Sequence, residues 1–117
     1  MGNYASIKNA NEFEELKKIG KPMVVVFFCN QFPSQSEKLE INQIMINLDS
    51  NYSGINFRSV NTDDNKELDD LFDSIDPKRN FPLVVAYDSK GNVIQKMINP
   101  SKEKVERIIS TIAGNTN

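Results

Sequence analysis

Seven consecutive apolar residues, Met23-Val24-Val25-Val26-Phe27-Phe28-Cys29, constrain this chain more than any other stretch. A strand with one face in water alternates apolar and polar side chains. This run does not alternate, and it is rich in β-branched residues, so both of its faces need cover. It reads as a buried strand in the middle of a sheet with a layer packed on each side.

The other elements follow from period and punctuation. Tyr4 to Ile7 reads as a short edge strand. Asn9 stands three residues before Glu12, a capping-box spacing, and Phe13, Leu16 and Ile19 recur on one helical face until Gly20 and Pro22 end it. After the polar break NQFPSQS, Ile41, Ile44, Met45 and Leu48 fall at i, i+3, i+4 and i+7 of a second helix, and Asn51 to Gly54 is a turn. Ile55, Phe57 and Ser59 alternate with Asn56, Arg58 and Val60 as a second inner strand. Asp63 or Asp64 then caps a helix whose apolar face is Leu68, Leu71, Phe72 and Ile75. Its polar side, Glu67, Asp69, Asp70 and Asp73, reads as a solvated face. Pro77 to Pro82 is a loop and Leu83 to Tyr87 a third apolar strand. Asp88-Ser89-Lys90-Gly91-Asn92 is hairpin-turn chemistry leading into an antiparallel strand, Val93 to Ile98. Ser101 caps a last helix, with Val105, Ile108, Ile109 and Ile112 inward and Gly114 as its stop.

The order β-α-β-α-β-α-β-β-α predicts an α/β fold, a mixed sheet with helices on both faces. With 117 residues and no linker or repeat, residues 1–117 read as a single domain. Each helix offers the sheet three or four large apolar side chains, worth about 1.5–3 kcal/mol apiece when buried. Ile108→Asp is accordingly expected to bury an unpaired charge and unfold the chain.

Composition excludes several function classes. The chain has no His, which removes the commonest neutral-pH general base and metal ligand, so neither a metal site nor a His-based triad is expected. The formal charge is −2, and the longest basic runs are the pairs Lys17-Lys18 and Lys78-Arg79, which argues against nucleic acid as a partner. No stretch has the apolar length of a membrane span. The first residues lack the apolar core of a signal peptide, so the expected location is cytoplasmic. Gly2 and Ser6 fit the N-myristoylation template, but the pattern reads more simply as a start codon and a cloning glycine before a first strand. Asn51-Tyr52-Ser53 matches a glycosylation sequon that a chain without a secretion signal would not use. A single cysteine forbids an intrachain disulfide. No cofactor is called for.

Several segments, in order, resemble the thioredoxin family. Lys21-Pro22-Met23-Val24-Val25-Val26-Phe27-Phe28 resembles the entry into the family's central strand, and Asn61 to Leu68 resembles the loop after the next strand. Phe81-Pro82-Leu83-Val84-Val85 resembles its cis-proline and the strand that follows; Ser101 to Val105 is similar to the start of its last helix. The resemblance spans nearly the whole chain and implies the thioredoxin fold. Thioredoxins carry W-C-G-P-C between the central strand and the next helix. The matching residues here are Phe32-Pro33-Ser34-Gln35-Ser36, so Phe32 takes the tryptophan's place, Pro33 the attacking cysteine's and Ser36 the resolving cysteine's. The family's buried acid in that strand is matched by Phe27. Thiol–disulfide exchange needs a thiolate to attack a disulfide sulfur, and neither proline nor a serine hydroxyl can supply one. Pro77 to Tyr87 also looks like the corresponding loop and strand of phosducin-like proteins, whose thioredoxin-type domain likewise lacks the dithiol and serves in protein binding.

The resemblance therefore implies a redox-inactive binding or adaptor module. Its partner would be a protein or extended peptide, held in a groove formed by Phe32, Pro33, Ser34, Gln35, Ser36, Phe81 and Pro82. In thioredoxin-like proteins the backbone beside the cis-proline pairs with an extended peptide, a use that needs no cysteine. Ser34 and Ser36 have no His to activate them and are read as cap and helix surface. Cys29 keeps two readings: a small buried hydrophobe, or a single redox or glutathione-accepting thiol near the strand end.

Overall fold

The computed structural model describes residues 4–114; the Gly2 template lies outside the described residues. Nine elements follow in the expected order: β1 (Ala5–Ser6), α1 (Ala10–Lys18), β2 (Met23–Phe28), α2 (Gln35–Asn51), β3 (Asn56–Asn61), α3 (Lys66–Ile75), β4 (Leu83–Tyr87), β5 (Val93–Ile98) and α4 (Lys102–Gly114). They form one five-stranded sheet in the order β1-β3-β2-β4-β5. β1 and β2 run parallel to β3, β4 is antiparallel to β2, and β5 is antiparallel to β4. The apolar run is the middle strand, with Phe27 level with Val60 on one side and Leu83 on the other.

Alternate residues of β2 feed two cores. Val24 and Val26 join Phe57, Val84, Ala86 and Met97 under α2 (Ile41, Met45, Leu48) and α4 (Val105, Ile109, Ile112). Met23, Val25 and Phe27 join Val60, Leu83, Val85 and Tyr87 under α1 (Phe13, Leu16) and α3 (Leu68, Phe72). Two-sided cover is why the strand shows no alternation.

The local chemistry departs from expectation in four places. α3 is capped by Asn65, whose side chain accepts from Glu67 N–H, and by neither Asp63 nor Asp64. Asp63 is used elsewhere: its carboxylate accepts from the Asn30 N–H at 2.7 Å. Ile19 is exposed, because α1 ends at Lys18 and Ile19 is its cap. Ile108 is only partly buried, whereas its neighbour Ile109 is fully buried, so the acid substitution that tests the core belongs at Ile109. The first strand has two residues rather than four, extended by a bond from Ile7 N–H to the Ser59 carbonyl. Gly91 sits at φ 85° in the β4–β5 turn, a left-handed conformation that favours glycine.

Two tyrosines carry a pH dependence. Tyr4 donates its backbone N–H to the buried Asp49 carboxylate at 2.7 Å and its hydroxyl to Asn42. Burial pushes its phenol up to about 12, against the opposing pull of a Ser59 hydrogen bond. Burial pushes the Tyr87 phenol up too, with the Glu14 charge adding to it. A raised folded-state value makes the unfolded chain release its proton first. Stability from these groups is therefore complete below about pH 10 and lost as pH rises through the folded value. Denaturation midpoints measured against pH should fall from about pH 10 upward, and Tyr4→Phe should flatten the fall. An unchanged slope in that variant would remove Tyr4 from the account.

Candidate functional site

The candidate residues gather at the end of the sheet where β2 finishes and β4 begins. β2 stops at Phe28, so Cys29 lies just outside it and is partly exposed. Cys29 donates its N–H to the Phe32 carbonyl at 2.9 Å, closing a tight turn. Asn30 ties this turn to the end of β3 and to α2: its side-chain oxygen accepts from Asn61 at 2.8 Å, and its carbonyl accepts from Lys38 Nζ at 2.8 Å. The turn is thus fixed from both sides.

α2 starts with a full capping box. Ser34 Oγ accepts from Glu37 N–H, and the Glu37 carboxylate accepts from the Ser34 N–H and hydroxyl. Ser36 Oγ lies 3.2 Å from Ser34 Oγ. The Ser34 hydroxyl serves the helix end, and the carboxylate it meets, Glu37, is engaged in the same capping box.

Phe32 and Phe81 face a cleft of about 360 Å³, which Arg79 and Asn80 complete. Phe32 is 58% exposed. Phe81 is held from behind, its ring stacked on buried Phe72 with centroids 4.6 Å apart and an interplanar angle of 16°. The Arg79 guanidinium lies 5.3 Å from the Phe72 ring centroid and 6.0 Å from that of Phe81, and it pairs with Asp69 and Asp73. Those two carboxylates hold the guanidinium above the usual arginine value. Asp76 anchors the same loop by accepting from Asn80 N–H, which holds its carboxyl below the usual carboxylate value.

Pro33 and Pro82, expected to line the groove, are buried, and the cleft is lined by Phe32, Arg79, Asn80 and Phe81. Ser34, Gln35 and Ser36 stand exposed at the start of α2 and do not line this cleft. Both the Phe32–Pro33 and Phe81–Pro82 peptide bonds are cis. Pro82 passes its carbonyl to Asn99 N–H at 2.8 Å, whereas neither the N–H nor the carbonyl of Phe81 has a partner among the described residues. Arg79 and Asn80 line the cleft, although in the sequence they carry only the signal of a loop.

With one cysteine in the chain, this end of the sheet carries no thiol pair. What it offers is an aromatic cleft beside an unpaired backbone donor and acceptor. Among the described residues, no cluster of acidic or cysteine side chains could hold a metal, and no helix is long and apolar enough to cross a membrane.

No family model matches the sequence, and no curated protein matches it. Solved structures do. The thioredoxin of Malassezia sympodialis is similar over 97% of this chain and 93% of its own, at 15% identity and a TM-score of 0.78. Reduced thioredoxin of Schistosoma mansoni is similar over 94% and 98%, at 21% identity and a TM-score of 0.76. A redox protein from Chlamydomonas reinhardtii is similar over 95% of this chain and 36% of its own, at 19% identity and a TM-score of 0.82. Strand order, the two helical layers and these likenesses agree: the chain has the thioredoxin fold.

Proposed function

We propose that residues 1–117 form one thioredoxin-like domain that has given up disulfide chemistry and binds an extended segment of a partner protein, in the cytoplasm, as an adaptor. The observation that carries this reading is the pairing of an unused Phe81 backbone donor and acceptor with the Phe32–Phe81 cleft. An added strand would gain backbone hydrogen bonds at Phe81 and place a side chain between the rings. Pro33 and Ser36 at the matched sulfur positions support the loss of exchange chemistry, since neither can form a mixed disulfide.

The test is selection of binders from a random display library of short peptides. Binders should emerge, and Phe32→Ala should weaken the best of them about thirtyfold, the effect of losing roughly 2 kcal/mol at a central aromatic. Binders indifferent to Phe32, or none at all, would remove the groove from the account. Turnover of a disulfide substrate that survives Cys29→Ser would overturn the redox-inactive reading.

One observation favours a second reading: Cys29 is partly exposed rather than buried. Its thiolate could attack oxidised glutathione, forming a Cys29–glutathione disulfide and releasing one glutathione thiolate. Alkylation of Cys29 against pH, folded and unfolded, separates the two. Rapid labelling of the folded chain with an apparent pKa well below about 8.5 supports the thiol reading; labelling only on unfolding ends it.

A further inference from the structure

A second cleft, of about 280 Å³, opens between the first turns of α2 and the loop joining β5 to α4. Glu37, Glu40, Ile41 and Ile44 line one wall, at the i, i+3, i+4 and i+7 spacing of a single helix face. Asn99, Pro100 and Ser101 form the other wall. Asn99 N–H is bonded to the Pro82 carbonyl, so this cleft adjoins the residue that follows Phe81.

We infer that this cleft takes the side chain of a lysine or arginine from the same extended segment that binds at Phe32 and Phe81; the inference rests on that reading. Its chemistry fits such an occupant at both ends. Ile41 and Ile44 give an apolar wall for a long aliphatic stem, and two carboxylates stand where the cation would end. The carboxylates are not compensated from within. Glu37 lends one oxygen to the helix cap, and Glu40 has no hydrogen-bond or ion-pair partner among the described residues. Neither glutamate forms an ion pair among the described residues: Lys38 reaches the Asn30 carbonyl and the Phe28 ring, and Lys102 pairs with Glu106. An acidic or purely apolar segment would leave this charge unanswered.

Glu40→Gln tests the inference without disturbing the cap that Glu37 makes. The probes are the peptides selected by display on the full chain. Selected peptides should carry lysine or arginine at a fixed spacing from an apolar residue, and Glu40→Gln should weaken the best binder about fivefold. Replacing that lysine or arginine by norleucine should cost a similar factor against the parent chain and almost nothing against Glu40→Gln. Binders that depend on Phe32 but show no fixed cation would sink the second cleft while leaving the first intact. A norleucine cost that persists undiminished in Glu40→Gln would sink it equally. An absence of any binder would take both down.

Discussion

Ile109→Asp should leave the chain unfolded at room temperature. Ile109 is fully buried, in a core with Met45, Phe57, Met97 and Val105. Substitution loses about 1.5–3 kcal/mol of apolar burial. It also places a carboxylate where no partner is available, at a further several kcal/mol. The sum is comparable with the whole stability of a small protein, roughly 5–15 kcal/mol. Circular dichroism and a denaturant titration read the result directly. Ile108→Asp is the internal comparison: that side chain is only partly buried, so the variant should fold with a loss of about 1–2 kcal/mol. Equal midpoints for the two variants would mean that α4 does not present Ile109 to the sheet.

That contrast marks what the sequence could disclose. The hydrophobic period identified α4 and its inward stripe, because burial on a sheet repeats every three or four residues. It could not separate adjacent Ile108 and Ile109, which differ by one helical step and yet differ in burial. The β2 run was legible for a stronger reason, since two-sided burial erases the alternation an exposed face would impose. Caps were legible where one side chain had one use, as at Asn9 and Ser34. At 63–65 three candidate caps compete, and the choice depends on Asn30, far away in sequence, which draws Asp63 to the β2–α2 turn and leaves Asn65 on the helix.

The candidate site was legible by position and not by surface. Counting forward from Phe27-Phe28 marked out the segment around Phe32, and the proline after Phe81 marked the opposing loop. Which residues face the cleft depends on packing across the chain: Arg79 is placed by Asp69 and Asp73, and Pro33 and Pro82 are turned inward. No local pattern encodes those contacts. The cleft at Glu37 and Glu40 is of the same kind, because its second wall comes from residues 99–101.

Phe72→Ala should cost about 3–5 kcal/mol, the range for emptying a buried aromatic site, and it should damage the cleft as well as the core. Phe72 is fully buried between Phe27, at 5.5 Å between centroids, and Phe81, at 4.6 Å. Its ring also lies beneath the Arg79 guanidinium. Phe81 owes its position to this support, so the cavity removes the floor on which the outer aromatic rests. Two readouts should therefore move together: the denaturant midpoint, and binding of a peptide selected on the parent chain. Phe32→Ala should separate them. Phe32 is largely exposed, so its loss should change stability by no more than about 0.5 kcal/mol while still abolishing most of the binding. A Phe72→Ala variant that loses less than about 1 kcal/mol would show that the Phe27–Phe72–Phe81 stack is not a rigid unit. A variant that loses the full amount yet binds peptide unchanged when folded would show that Phe81 is positioned by its own loop, through Asp76 and Asn80, rather than by the ring beneath it.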